Sequence, residues 1–366
     1  MIIQAKSALI AGELQSDVRI EIQNGSIVSV DASGPVDKTI DGILIPGFVD
    51  IHCHGGGGSY FSAKSDDEIQ KVIDTHRANG TTTTFASLVS EPIDVLKEQI
   101  QRLVPFVESG KIAGIHLEGP YLSPDKCGAH DPALLRDPIV SELKELLDVA
   151  DGSISMVTLA PELPHGIEAI EFLVDNGVVV AVGHSNANAE IGEKAFAAGA
   201  SLVTHFFNAV PKIDHKNPSV TLTALLDENI ALELINDGHH VDNDATELLL
   251  RTAPGRVILI TDAMSAAGAD EGGEFKIGSL DVIVKDGVAR LTSNGSLAGS
   301  TLTMKSTFER LMSEFGSSIE YASYCASTLP AKVLGIEYVG EIAIGKSANF
   351  VELDQDSKKV IKTYCF

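Results

Sequence analysis

The sequence predicts an α/β protein, namely a (β/α)8 TIM-like barrel with a small β-sandwich domain formed by both chain termini. Three observations support this fold. Strand-like apolar runs alternate with helical stretches through the middle of the chain, which is typical of a parallel sheet. Both ends of the chain are instead rich in strand patterns with few helical ones. Ionisable residues directly follow several of the apolar runs, as they do in barrel enzymes.

The two ends of the chain predict the β-sandwich. Residues 18–22 and 26–30 alternate apolar and polar side chains on either side of Asn24-Gly25, which is a strong hairpin signal. Residues 348–353 and 360–364 have the same strand-like character. We therefore expect residues 1–47 and 336–366 to form one discontinuous domain.

The barrel is predicted over residues 48–335. Its eight apolar runs end near His52, Ala86, Leu117, Leu159, Gly183, His205, Asn236 and Asp262. Helix boundaries separate these runs: Ser65 and Glu68 form a capping box, and Gly80 stops that helix. Pro92 suits the first turn of the next helix. Eight such alternations over this length predict a closed parallel barrel.

The pattern changes after the last apolar run. Residues 274–299 predict a β-hairpin insertion with its turn at Asp286-Gly287, and helices resume from about Thr301 to about Val333.

The composition of the chain limits which kinds of molecule it can bind and where it can reside. The net charge of −24 over 366 residues argues against binding to nucleic acid or to an anionic membrane. No apolar run is long enough to span a bilayer, and the first residues carry no secretory signal. The four cysteines have no paired spacing, so we expect free thiols and a cytoplasmic location.

Two histidines at the end of the first barrel strand predict a metal site. His52 and His54 stand two residues apart, so their side chains leave an extended strand on the same side. A single histidine is often a core residue with a hydrogen-bond partner. Two adjacent imidazoles on one face have little packing value and are better explained as ligands, for which zinc and similar ions are suited.

Three further candidate ligands follow later apolar runs: Glu118, His184 and His205. A buried carboxylate such as Glu118 needs a partner, and a metal ion is the simplest one. His184 and His205 are each ambiguous when taken alone. These five side chains could hold one ion, or two ions bridged by Glu118. His116, one layer deeper on the Glu118 face, is expected to be structural or to support a ligand.

Asp262 ends the eighth apolar run and is the candidate acid and base. At the last strand of a barrel, a carboxylate beside a metal can take a proton from water and pass it to a leaving amine. The alternative is a helix cap or a buried acid with a hydrogen-bond partner.

A set of motifs resembles one known family. The matching segments are residues 46–55 (Pro-Gly-Phe-Val-Asp-Ile-His-Cys-His-Gly), 116–121, 183–185, 205–209, 237–241, 261–263 and 297–300. In this order they resemble the N-acetylglucosamine-6-phosphate deacetylases of the amidohydrolase superfamily. Each motif is weak alone, but together they are specific and span nearly the whole chain.

The resemblance implies roles for the strand-end residues. It places a divalent metal on Glu118, His184 and His205, with a second ion possible on His52 and His54. Zinc is the expected ion, with iron, manganese and cobalt as alternatives. By the same matching, Asp262 is the catalytic acid and base, and His130 polarises the acetyl carbonyl.

The resemblance also implies substrate contacts, which are Ala129, His130, Asn208, Ala209, Asp237, His240, Leu297, Ala298, Gly299 and Ser300. One position departs from the family, because Lys216 stands where relatives usually offer an arginine to the phosphate. A lysine binds phosphate only as a point charge, and a solvated surface lysine is the alternative. Family members are usually homodimers, and the loop around Lys216 could reach a neighbouring copy.

The expected activity is hydrolysis of N-acetylglucosamine 6-phosphate to glucosamine 6-phosphate and acetate, in amino-sugar catabolism and recycling. Three alternatives stay open at this point: a deacetylase of a related sugar such as N-acetylgalactosamine 6-phosphate, a cyclic-amide hydrolase or deaminase, and an inactive barrel that serves as a scaffold. Cyclic-amide hydrolases often carry a carboxylated lysine where this chain has Glu118. The complete ligand set argues against a scaffold.

Overall fold

The structure, a computed structural model, describes residues 1–269 and 274–366. The chain divides into two compact units. One comprises Met1–Asp50, Asp74–Thr83 and Thr303–Phe366, and the other comprises Ile51–Ile73 and Thr84–Leu302. Their edges differ from the domain boundaries expected from the sequence. Those boundaries stay a prediction, because a domain is defined by an independent core and folding as well as by compactness.

The N-terminal segment contains four strands joined by turns and loops. It forms strands β1 (Ile2–Ile10), β2 (Glu13–Gln23), β3 (Ser26–Val30) and β4 (Lys38–Pro46). The predicted hairpin is present: β2 and β3 are antiparallel, with Gln23 opposite Ser26 across Asn24-Gly25. Both turn residues have a positive φ, which asparagine and glycine tolerate better than other residues.

The barrel strands begin after β4. The first is β5 (Phe48–Cys53), which is followed by a small hairpin of β6 (Gly55–Gly56) and β7 (Ser59–Tyr60). The other seven are β8 (Thr81–Leu88), β9 (Gly114–Glu118), β10 (Ile154–Leu159), β11 (Val179–Val182), β12 (Leu202–Val203), β13 (Ala231–Ile235) and β14 (Val257–Ile260). Each predicted run ends within two residues of one of these strands; Asp262, for example, follows β14 by two residues.

The eight strands form one sheet in the order β14-β13-β12-β11-β10-β9-β8-β5. The first and last strands meet through a parallel bridge between Cys53 and Ala263, and the Asp262 amide donates to the His52 carbonyl at 2.8 Å. The predicted (β/α)8 barrel is therefore confirmed. Apolar residues on these strands are almost wholly buried because both faces of a barrel sheet are covered.

Helices connect the barrel strands, and they are α1 (Asp66–Ala78), α2 (Ile93–Glu108), α3 (Val140–Ala150), α4 (Gly166–Asp175), α5 (Ala189–Ala197), α6 (Val220–Leu226) and α7 (Asn243–Thr252). The sequence signals mark their starts: the Glu68 amide donates to Ser65 Oγ at 3.2 Å, and Pro92 immediately precedes α2. Two short 3₁₀ turns, Pro124–Lys126 and Pro132–Leu134, lie between β9 and α3. No helix within the described residues has the length and apolar character to cross a bilayer.

A β-insertion follows the last barrel strand. It contains β15 (Phe275–Ile277), β16 (Leu280–Lys285) and β17 (Val288–Leu291) in antiparallel order. Lys285 pairs with Val288, which places the turn at Asp286-Gly287 as predicted.

The C-terminal segment first forms α8 (Met304–Phe315), α9 (Ile319–Ser323), a π-helical turn over Tyr324–Thr328 and α10 (Leu329–Val333). Strands β18 (Asn349–Leu353) and β19 (Val360–Cys365) then join the N-terminal strands in a six-stranded sheet of order β19-β18-β4-β1-β2-β3. Ile3, Ile20, Leu44 and Phe350 are among its fully buried side chains. Both chain termini thus build one β-structure with its own core, as the sequence predicted.

Candidate metal centre and active site

The predicted ligands come together at the carboxyl ends of the barrel strands. His52 lies in β5, His54 follows it directly, and Glu118 is the last residue of β9. His184 and His205 each stand two residues past the ends of β11 and β12. All five are buried. Parallel strands in a closed barrel all end at the same rim, so side chains far apart in sequence share one location there.

Backbone strain marks the same rim. His184, His205 and Asp262 have φ values of 47°, 29° and 47°, in the left-handed region that residues with a Cβ seldom occupy. Such residues persist only where the surroundings hold them, and they cluster at functional sites. Each of the three follows a barrel strand by two residues, so the strain turns these side chains onto a common point.

Glu118 lies at the centre of the cluster, with one carboxylate oxygen for each half. Its Oε1 is 3.1 Å from His184 Nε2 and 2.9 Å from His205 Nε2. Its Oε2 is 3.2 Å from His54 Nε2 and 3.6 Å from His52 Nε2. Within each half the two imidazole nitrogens are also close, at 3.0 Å for His184 and His205 and at 3.1 Å for His52 and His54.

The other ring nitrogen of each of these histidines faces an oxygen. The Nδ1 contacts are Glu233 Oε2 for His52 (3.0 Å), the Ser87 carbonyl for His54 (3.2 Å), the Lys126 carbonyl for His184 (2.8 Å) and the Asn208 carbonyl for His205 (3.2 Å). Carbonyl and carboxylate oxygens only accept, so each Nδ1 donates its proton. All four Nε2 atoms are left directed at the carboxylates, which is the arrangement of metal-binding histidines.

The electrostatics also fit a cation. Burial lowers the pKa of His184 to about 4, so at neutral pH its Nε2 has no proton and faces Glu118 Oε1 with a lone pair. Burial also disfavours charge on His54, but hydrogen bonds to Asp262 and Glu118 outweigh it and raise its pKa to about 9. Donor atoms about 3.3 Å apart are the spacing of tetrahedral coordination with metal–nitrogen bonds near 2.0 Å. The residues present therefore fit one or two divalent ions.

Asp262 reaches the His52 and His54 half. Its Oδ1 is 3.3 Å from His54 Nε2 and 3.5 Å from His52 Nε2. Burial acts to raise its pKa, but the nearby charge of His52 and the hydrogen bond from His54 outweigh burial and lower the pKa. The carboxylate is therefore ionised at neutral pH and free to accept a proton.

His130 has the opposite tautomer from the four histidines around Glu118. Its Nδ1 accepts from the Ser90 amide at 3.3 Å and lies 2.9 Å from Ser90 Oγ. In the neutral ring the proton is therefore on Nε2, which lies 3.4 Å from Glu118 Oε2. A ring N–H aimed into the site can donate to an oxygen that gains negative charge during a reaction.

A cavity of about 320 Å³ opens over this cluster. The predicted substrate contacts that line it are Ala129, His130, Asn208, Ala209, His240, Leu297 and Gly299. Ala298 and Ser300 are buried behind the lining, where Ser300 Oγ donates to the Thr261 carbonyl. Ile277 of the insertion also lines the cavity, so the insertion contributes to its wall.

Asp237 supports a cavity residue and does not itself line the cavity. Its Oδ2 accepts from His240 Nδ1 at 2.7 Å, and its Oδ1 accepts the His239 and His240 amides at 2.8 Å each. Burial acts to raise the pKa of Asp237, but these hydrogen bonds outweigh burial and lower it. His240 Nε2 is therefore left available to a ligand.

The two lysines of interest occupy different places. Lys216 is exposed and does not line the cavity of its own chain; its amide donates to Asp214 Oδ1. Lys126 lines the cavity, and among the described residues it is the one lysine or arginine that does. Its Nζ lies 3.4 Å from the Val210 carbonyl, next to Asn208 and Ala209 in sequence. The sequence reasoning overlooked Lys126, although it directly precedes the segment 127–130 that carries His130.

Comparison with known proteins identifies the family. The amidohydrolase family profile matches residues 43–365. The chain belongs to the amidohydrolase family. The N-acetylglucosamine-6-phosphate deacetylase of Vibrio furnissii is 32% identical, with 96% of this chain and 91% of that protein covered. The N-acetylgalactosamine-6-phosphate deacetylase of a Shewanella strain is also 32% identical, with 98% and 93% covered.

Solved structures of related amidohydrolases agree with the fold. The N-acetyl-D-glucosamine-6-phosphate deacetylase of Mycobacterium smegmatis is 38% identical and superposes with a TM-score of 0.94, covering 100% of this chain and 98% of that one. A mutant of that enzyme was solved in complex with N-acetyl-D-glucosamine-6-phosphate. The resemblance inferred from the motifs is therefore confirmed.

One buried residue of this amidohydrolase site was missed in the sequence. Glu233, in the middle of the apolar strand β13, is fully buried beside His52. A signal was present, because an acid within an otherwise apolar strand must have a partner. His116, placed one layer below the cluster, contacts Ser87 Oγ and Thr158 Oγ1 at 2.9 and 2.8 Å.

Proposed function

We propose that this chain hydrolyses the N-acetyl amide of N-acetylglucosamine 6-phosphate, giving glucosamine 6-phosphate and acetate. One observation carries the proposal: Glu118, four histidines and Asp262 meet beneath a cavity in a barrel whose relatives bear that enzyme's name. The residue proposed to bridge the metal ions also favours a hydrolase of linear amides. Here it is the glutamate Glu118, whereas cyclic-amide hydrolases often have a carboxylated lysine at this position.

Either one or two divalent ions complete the site in this proposal. His184, His205 and Glu118 Oε1 would hold the first, and His52, His54 and Glu118 Oε2 the second. Zinc is the proposed ion, and iron, manganese and cobalt are alternatives that accept the same donors. When bound, such an ion supplies Lewis-acid chemistry, lowering the pKa of water and polarising a carbonyl.

The chain's own residues then move the protons. Asp262 takes a proton from the attacking water, whose oxygen forms the new bond to the acetyl carbon. His130 donates from Nε2 to the carbonyl oxygen as negative charge develops there. Asp262 passes its proton to the amine nitrogen as the carbon–nitrogen bond breaks. The products are acetate and the free amine of the sugar phosphate.

The phosphate is proposed to lie on the side of the cavity formed by Asn208, Ala209 and His240. On a chain with a net charge of −24, a dianion needs a local cation. Lys126 supplies one within the same chain. Lys216 would supply another if two copies associate as a homodimer. Sedimentation at micromolar concentration tests that assembly, and a monomer would contradict it.

The sugar and the compartment are also part of the proposal. Glucosamine and galactosamine derivatives differ by one hydroxyl configuration, and relatives of both names have the same identity to this chain. N-acetylgalactosamine 6-phosphate is therefore the second candidate substrate. A cytoplasmic location is supported by the cysteines, all four of which are free thiols.

A substrate panel tests the function. Acetate release should be fastest with N-acetylglucosamine 6-phosphate, slower with its galactosamine epimer and slowest with N-acetylglucosamine lacking phosphate. Dihydroorotate, a cyclic amide, serves as the comparison for the other hydrolase class. Faster turnover of the epimer would select the second candidate. Turnover of the cyclic amide alone would overturn the proposal, and a metal-free, inactive protein would indicate a scaffold.

A further inference from the structure

Glu233 is a buried carboxylate that the reaction above does not use. It lies in β13 between Leu232 and Leu234, and its side chain is fully buried. Burying a carboxylate among apolar residues is costly unless it is paired or hydrogen-bonded. The contacts that compensate this cost therefore indicate what the residue does.

One oxygen of Glu233 joins both halves of the metal centre. Its Oε2 lies 3.0 Å from His52 Nδ1 and 3.0 Å from the backbone nitrogen of His205. His52 belongs to the Oε2 half of Glu118, and His205 belongs to the Oε1 half. The other oxygen, Oε1, has no hydrogen-bond partner within the described part of the chain.

Each contact orients one ligand. Accepting the Nδ1 proton of His52 leaves Nε2 of that ring to face Glu118, and a carboxylate acceptor makes the imidazole a stronger ligand. His205 lies past the end of β12 with a φ of 29°, so the sheet ladder does not hold its amide. Glu233 holds it instead, and the Glu233 carbonyl accepts the next amide, of Phe206, at 2.8 Å.

We propose that Glu233 is a positioning residue that sets the orientation of His52 and His205 together and so controls the affinity of the centre for divalent ions. This inference rests on the metal centre of the proposed function. It predicts that ion binding depends on the Glu233 carboxylate although that group lies too deep to be a ligand of the ion in this arrangement.

Two variants measure how much the Glu233 carboxylate contributes to the affinity for divalent ions. Glu233→Ala removes both hydrogen bonds, and loss of such a partner typically weakens metal affinity about 10- to 100-fold. Glu233→Gln keeps an oxygen that can accept both protons but removes the charge, so the loss should be smaller and fall below about 10-fold. A merely structural role would not give this ordered rescue of ion affinity.

The chain offers a matched control. Glu352 is also a nearly buried carboxylate in a strand, and its oxygens accept from the Gly42 amide at 3.1 Å and the Tyr364 hydroxyl at 2.7 Å. Both of these partners belong to the β-structure built from the two ends of the chain. Glu352→Gln should therefore lower the thermal stability without changing ion affinity.

The measurement is a titration of the metal-free full chain with Zn²⁺ against a chromophoric chelator, which gives the number of ions and each dissociation constant. A parallel titration with Co²⁺ records the visible spectrum of the ion, which reports the geometry of its ligands. We expect Glu233→Ala to weaken binding and alter the Co²⁺ spectrum, with Glu233→Gln intermediate and Glu352→Gln unchanged from the wild type.

Distinct results separate this inference from the proposed function. If the wild-type chain binds no divalent ion, the metal centre itself is refuted. If the wild type binds ions and folded Glu233→Ala binds them with the same affinity and spectrum, only the role of Glu233 is refuted. Circular dichroism checks folding, and wild-type affinity in folded Glu233→Gln overturns the inference even where the alanine variant fails to fold.

Discussion

The candidate metal centre differs in construction from the wall of the cavity above it, which we propose binds the sugar phosphate. The centre consists of side chains at strand ends, each buried and held by a second contact, such as His184 through the Lys126 carbonyl. The wall comes mostly from loop residues, together with Ile277 of β15. Asn208 uses its amide locally, donating to the carbonyls of His205 and Phe206. In the proposed function the strand ends therefore supply the chemistry, and the wall contacts the substrate.

The loop that carries His130 joins these two regions. The Ser123 amide donates to the His184 carbonyl at 2.9 Å, and Gly128 lies so close to His184 that a Cβ there would be 2.9 Å from the ring. Gly128 also has a φ of 56°. A larger residue at position 128 would displace either the loop or the His184 ring. The cavity residues Lys126 and His130 are therefore positioned relative to the metal centre by backbone packing.

The largest expected effect is at Asp262, on the metal-centre side of this comparison. Asp262→Asn keeps the shape but removes the base, and kcat should fall about 10³-fold because general acid–base catalysis typically contributes 10² to 10⁴. Metal content, measured by atomic emission, should be unchanged. Retained turnover would remove Asp262 from its assigned role and weaken the distinction between chemistry at the rim and recognition at the wall.

His130 should follow in magnitude. His130→Phe keeps a flat ring but has no N–H to face the cavity, and the loss of one oxyanion donor costs about 10²- to 10³-fold in kcat. The matched variant Ser90→Ala keeps His130 but removes the hydroxyl beside Nδ1, so its loss should be smaller. Steady-state kinetics on both variants provides the check, and equal losses would show that the tautomer, more than the donor, determines the rate.

Removal of the metal tests whether the buried centre depends on a cation. Ion binding stabilises the folded state by about 2.7 kcal/mol when the free ion is 100-fold above its dissociation constant. A chelator should therefore lower the melting temperature of the wild-type chain in calorimetry. The same treatment of His184→Ala should shift the melting temperature less. A chelator shift of the same size in both proteins would contradict the ligand assignment of His184.

The smallest expected effects lie on the wall. Lys126→Ala should raise KM for the 6-phosphate substrate about 10-fold, as expected for one charged hydrogen bond of 1.5 kcal/mol or so. The KM for unphosphorylated N-acetylglucosamine should not change. Lys216→Ala is the comparison variant, since its effect requires a neighbouring copy. If only Lys216→Ala raised this KM, the lysine that binds the phosphate would be Lys216 of a neighbouring copy and not Lys126.

The fold and the rim were predictable because their signals are local and repeated. Each apolar run predicts a strand, and eight such runs in alternation with helices predict a parallel barrel. In such a barrel Asp262 must lie at the same end as His52, because both lie at or just past the carboxyl ends of strands. The wall was predictable only in part. Leu297 and Gly299 line the cavity, whereas Ala298 and Ser300, between and beyond them, are buried and do not. Gly299 has a φ of 61°, so this segment is not a regular strand, and no sequence periodicity indicates which of its residues face the cavity.

The barrel, the β-structure built from both termini and the ionisable residues at the strand ends could all be inferred from the amino-acid pattern, because periodicity and turn residues act over short distances. The folded arrangement was needed to show which atoms meet. It gives the division of Glu118 between two pairs of histidines, the reversed tautomer of His130, the presence of Lys126 on the cavity wall and the link from Glu233 to both halves. Those features depend on contacts between residues far apart in the chain, and such contacts have no local signature in the sequence.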